Sequence, residues 1–167
     1  MNKNRVLFQC DNIFQRSTIS EGFITDTGHI LSNYGSIHTM AIQEGTMANL
    51  CHRIGDFDKA EEFFDKGRAI INDNPDIDKI TALTLSGDQA SFYRDRGYAD
   101  DFSKAEHLYK SCLSNCAEVY SENHPETAEI LENYSLLKEK QGDYSTALEL
   151  SLHALEVKKN SLPPDTT

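Results

Sequence analysis

An all-α architecture of stacked helix–turn–helix hairpins is what this sequence predicts, and three observations predict it. The first is a recurring phrase: "GDFDKAEEFF" at Gly55 to Phe64, "DFSKAEHLY" at Asp101 to Tyr109 and "GDYSTALEL" at Gly142 to Leu150. Each places an acidic residue, an aromatic and two spacers before an alanine: Ala60, Ala105 and Ala147. The intervals are 105 − 60 = 45 and 147 − 105 = 42 residues, a period that marks stacked supersecondary units. The second observation is a small residue on the other side of each hinge, Ala48, Ala90 and Ser135. Small residues at fixed places on consecutive helices let their axes approach while larger neighbours interdigitate. The third is the hinge chemistry itself, a glycine in every turn: Gly55, Gly97 and Gly142.

Each element follows from local chemistry. The glycines can take the positive φ with which a helix ends. Asp56 and Asp143, just after two of them, offer side-chain oxygens to the open amides of the next helix. The middle turn, "GYADDF", carries three more residues than "GDY", an insertion that costs only fractions of a kcal/mol in loop closure. Pro125 suits the first turn of a helix, and Glu126 beside it complements the dipole. Hairpins are therefore expected at about 44–75, 80–120 and 124–160, within a repeat region spanning 44–164 and followed by a tail at 161–167. Residues 1–43 form an N-terminal helical segment, read either as a degenerate repeat or as a packed helix pair over 3–20 and 28–42. The pair is favoured, because only 13 residues separate Leu31 in "ILSNYG" from Glu44 and no second helix fits between. A kink or turn is expected near Gln43 to Gly45.

These hairpins resemble tetratricopeptide repeats. The stretch "HPETAEILENYSLLKEKQGDYSTALELSLHALEVKK" is most similar to the variant found in kinesin light chains, with Leu131, Tyr134, Ser135, Gly142, Tyr144, Ala147 and Ala154 where that motif wants them. The first unit departs at Glu44 and Gly45, and the middle one at Ser86 and Gln89, with Cys112 at its second small position. The resemblance implies a right-handed α-solenoid whose first helices line a concave, peptide-binding surface. On the matching positions, that surface carries Ile42, Gly45, Thr46, Asn49, His52 and Arg53, then Thr84, Gly87, Asp88, Ser91, Arg94 and Asp95, then Glu129, Glu132, Asn133, Leu136, Glu139 and Lys140. The candidate peptide-binding residues are Asn49, His52, Arg53, Asp88, Ser91, Arg94, Glu129, Asn133 and Lys140, with Arg94 and Asn133 expected to be exposed. Family members that clamp the acidic C-termini of heat-shock chaperones use a ring of lysine, asparagine and arginine. Here Gly45, Asp88 and Glu129 stand at such places, which argues against that ligand.

Composition narrows the function classes. The net charge is −11, unsuited to nucleic-acid phosphates or anionic membranes, which are bound by clustered Lys and Arg; a neutral or basic protein or peptide is the expected partner. Apolar runs fall well short of the roughly 20 residues that span a bilayer, and no signal peptide is evident. The four cysteines lack a CxxC pattern and read as reduced thiols of a cytoplasmic protein. Cys112, Cys116 and His107 raise the question of a metal, but at ~100° per residue the histidine points away from both thiols, and Cys112 reads as a small packing residue. No HExxH, GxSxG or phosphate-cradling loop occurs, so neither catalysis nor a cofactor is expected.

On the last helix, the leucine stripe of Leu148, Leu152 and Leu155 is expected to pack on the helix of Tyr134 and Leu137. The opposite stripe of Ala147, Leu150, Ala154 and Val157 is then left without a partner and available for self-association. The sequence thus predicts a non-catalytic interaction scaffold. The alternative is a regulatory or sensor segment of a larger multidomain enzyme or signalling ATPase.

Overall fold

The computed structural model describes residues 29–120 and 123–161, which fall into two compact units, the first ending at Ile77 and the second beginning at Asp78. The described residues form six helices and no strand: α1 (His29–Ile54), α2 (Phe57–Asp73), α3 (Lys79–Arg96), α4 (Asp101–Val119), α5 (Pro125–Lys140) and α6 (Tyr144–Ser161). They pair in sequence order, α1 with α2, α3 with α4 and α5 with α6. The fold is an all-α array of repeat hairpins.

The first unit holds α1 and α2. The turn between them places Gly55 at φ +77°, and Asp56 accepts from the Lys59 amide at 3.4 Å, as the sequence led one to expect. Ala48, Cys51, Ala60 and Phe64 close the contact between the two helices. No turn separates the segments at the expected place: α1 runs unbroken for 26 residues through Gln43 to Gly45. Neither a proline nor a turn signal interrupts this stretch, and a single internal glycine costs only about 1 kcal/mol, too little to end a long helix. The expected helix over residues 3–20 lies outside the described residues.

In the second unit, α3/α4 and α5/α6 are joined through α4 against α5, and α3 also touches α5. Ala90 and Ala105 are fully buried and Ser135 is buried, as the small-residue reading requires. The Tyr109 and Tyr134 rings stack at 5.7 Å between α4 and α5. Cys112 occupies its small-residue position, and burial, reinforced by the neighbouring Cys116, pushes its thiol up to about 12; it packs as a small apolar side chain. Gly97 and Gly142 have φ +67° and +80°, and Asp143 caps α6 by accepting from the Thr146 amide at 3.2 Å. The longer middle turn is organised differently. Asp101 is not a cap but a buried partner for Arg96, at 2.8 Å, and it also accepts from the Tyr98 amide. The same guanidinium lies over Phe92, Tyr93 and Tyr98.

The helix α6 corrects the sequence reading. Ala154 and Val157 are buried against Ala128 and Leu131, with Leu113 and Leu150 packed alongside. Leu148, Leu152 and Leu155 are 61%, 57% and 48% exposed. The stripes are exchanged because the small residues permit the closest approach to α5, and close approach decides which face goes inward. The stripe assigned to self-association is therefore the buried one.

Candidate functional site

Two first helices, α3 and α5, face each other across a groove in the second unit. They are latched at their C-terminal ends. Arg94 donates from Nη1 to the Asn133 Oδ1 at 2.8 Å and to the Tyr109 hydroxyl at 3.3 Å, while its Nε and Nη2 hold Asp95. Lys140 donates to Asp95 at 3.1 Å and to the Arg94 carbonyl oxygen at 3.2 Å. Burial works against the Arg94 charge, but Asp95 and Tyr109 outweigh it and hold the guanidinium above its ordinary value. Burial likewise opposes ionisation of Asp95, yet hydrogen bonds from Arg94 and Lys140 keep its carboxyl below the usual range. Arg94 was expected to be exposed; it is only 9% exposed, and it serves as the floor and brace of the groove.

Away from this latch the groove opens into a pocket of about 90 Å³, lined by Leu83, Thr84, Gly87, Asp88 and Ser91 of α3, Tyr109 of α4, Tyr120, and Glu126, Glu129, Ile130 and Asn133 of α5. Ser91 and Tyr109 share a hydrogen bond at 3.0 Å beneath it, and burial raises the Tyr109 phenol, so this side chain is a neutral hydrogen-bonding floor. Because the Asn133 oxygen accepts from Arg94, what its amide offers the groove is the Nδ2 donor pair.

Of the candidate residues, Asp88, Ser91, Glu129 and Asn133 come together around this pocket, while Arg94 and Lys140 form the latch beside it. Asn49, His52 and Arg53 share one face of α1 in the first unit, with the His52 ring 6.2 Å from that of Phe57. Sequence reasoning missed Tyr120 and Glu126 as lining residues. Tyr120 ends α4 and stacks on His124 at 4.1 Å, while the His124 Nδ1 accepts from the Glu126 amide and caps α5. The only signal in the sequence was Pro125, which marks the helix start but not the groove.

Residues 81–160 match the family model of the tetratricopeptide repeat, the same span in which two hairpins frame this groove. This span is a tetratricopeptide-repeat region. No curated protein and no solved structure matches it. Tetratricopeptide repeats are interaction elements, and their groove faces are built to hold other proteins. Among the described residues no helix is long and apolar enough to cross a membrane, and no group of His, Cys, Asp and Glu is placed to hold a metal ion.

Proposed function

We propose that this protein is a non-catalytic interaction module that holds an extended segment of a partner protein in the α3–α5 groove. The observation that carries this is the arrangement of the groove itself: two first helices latched at one end and open at the other over a hydrogen-bonding floor. The Asn133 amide donors and the Ser91 hydroxyl meet the needs of a peptide main chain, which must keep its carbonyl and amide groups satisfied when it leaves water. The partner is neutral or basic in this reading, since the chain carries a net charge of −11 and no lysine or arginine lines the pocket. We assign the repeats to the kinesin-light-chain-like variant on the phrase from His124 to Lys159, in which His124 caps α5 and Pro125 opens it. A cytoplasmic location fits the free, buried thiols of Cys112 and Cys116.

The test is selection of binding peptides from a random displayed library on the full chain, followed by amide chemical-shift mapping. Shifts centred on Thr84, Ser91, Glu129 and Asn133 are expected. Shifts confined to α2, α6 or the turns overturn the groove as the binding surface.

A further inference from the structure

Gly87 sits in the middle of α3, where glycine weakens a helix relative to alanine. Packing within the fold does not require it: a Cβ built there meets nothing within 4 Å. Its place on the wall of the pocket gives the glycine another use, because it leaves the groove deep where any side chain would project into it. The α5 side of the pocket carries Glu129 and Ile130, and Tyr120 also lines it. The pocket thus joins apolar walls to carboxylates. Glu126 and Glu129 are exposed and make no ion pair among the described residues, and Asp88 adds a further acidic group on the α3 side. The nearby cations are already committed, Arg94 and Lys140 both to Asp95.

We propose that this pocket is a subsite for a basic side chain, a lysine or arginine of the bound segment, whose main chain crosses α3 at Gly87. Such a side chain is amphipathic: its stem lies along apolar surface while its head stays among acceptors. The stem runs against Leu83, Ile130 and Tyr120, and the cation rests between Glu126 and Glu129 on one side and Asp88 on the other. An acidic side chain would meet carboxylates on both walls, and an uncharged one would leave Glu126 and Glu129 unused, so the charge of the pocket selects its occupant. The inference rests on the groove reading and adds to it the chemistry of one position in the ligand.

The experiment measures binding of fluorescent peptide pools to the full chain, each pool randomised around a fixed central lysine, arginine, norleucine or glutamate. The lysine and arginine pools are expected to bind at least about tenfold tighter than the norleucine pool, with the advantage shrinking as salt screens it. Glu126→Gln with Glu129→Gln should erase that advantage. Gly87→Leu should weaken every pool while the melting temperature holds or rises, since the added side chain enters open space. Equal affinity for lysine and norleucine, with binding still lost in Gly87→Leu, overturns the basic subsite and leaves the groove standing. Binding untouched by Gly87→Leu overturns the groove reading itself, and absence of binding by any pool overturns the subsite.

Discussion

Two faces of this molecule occupy the same position in successive repeats and meet opposite fates. On α4 the face of Glu106, Tyr109 and Leu113 is covered by α5, with Lys110 exposed at its edge: Tyr109 stacks on Tyr134, and Glu106 accepts from the Tyr134 hydroxyl at 3.2 Å and from Lys138 at 2.8 Å. Lys110 closes the network at 2.7 Å. On α6 the residues 42 positions later are Leu148, Ser151, Leu152 and Leu155, and all of them are exposed. The polar face is the one under cover, and the leucine face is the one in water. The comparison teaches that in a stacked array the surface a residue meets is set by its place in the repeat, and hydrophobicity acts only within that frame.

The largest effect should come from the covered side of the last hairpin. Leu131, 2% exposed, packs with Ala128, Ala154 and Val157, so Leu131→Ala is expected to cost about 2–5 kcal/mol, read as a lower denaturant midpoint. A loss below about 1 kcal/mol would break the assignment of that stripe to the core.

Next comes the charged network on α4. Hydrogen bonds from Lys110 and Lys138 hold the Glu106 carboxyl at about 2, below its ordinary 4.5. A carboxyl whose folded value is depressed stabilises the fold at pH above its unfolded value, and that contribution is lost as pH falls from about 4.5 towards about 2. The shift corresponds to an upper limit of about 3 kcal/mol, reduced because the side chain is partly open to solvent. Glu106→Gln should therefore destabilise at neutral pH by roughly 1–2 kcal/mol and flatten the acid limb of the stability curve. An unchanged acid limb would show that α5 does not sit on that carboxylate in solution.

Much of the fold was legible because its signals are local. The turn glycines, the caps at Asp56 and Asp143, and the small residues at Ala48, Ala60, Ala90, Ala105 and Ser135 all express chemistry decided within one hairpin. The misreadings were non-local. Arg94 has a partner in Asn133, 39 residues on, and no spacing rule announces that a groove arginine will be consumed as a brace. In α6, Ala154 and Val157 outrank the leucines for the interior because α5 approaches there closely, a property of two helices that a single helical wheel does not contain. The pocket was half legible. Asp88, Ser91, Glu129 and Asn133 were found from repeat register, whereas Tyr120 and Glu126 enter through the α4–α5 connection, whose path the register does not fix.

The smallest effect, and the sharpest discriminator between the two faces, is expected on the exposed stripe. Leu152 is 57% exposed, and a side chain in that state has little apolar area left to lose, so Leu152→Gln should change stability within about 0.5 kcal/mol. Glutamine, like leucine, has no branch at Cβ and is a good helix former, so propensity adds little to the difference. The equivalent position on α4 is Lys110, and it already carries a polar residue on this face. Paired denaturation curves of Leu131→Ala and Leu152→Gln therefore test one statement from both sides, since the change at Leu131 is expected to exceed that at Leu152 by several-fold. Comparable losses at the two sites would mean that α6 turns its leucines inward in solution, and the contrast between the repeats would fall.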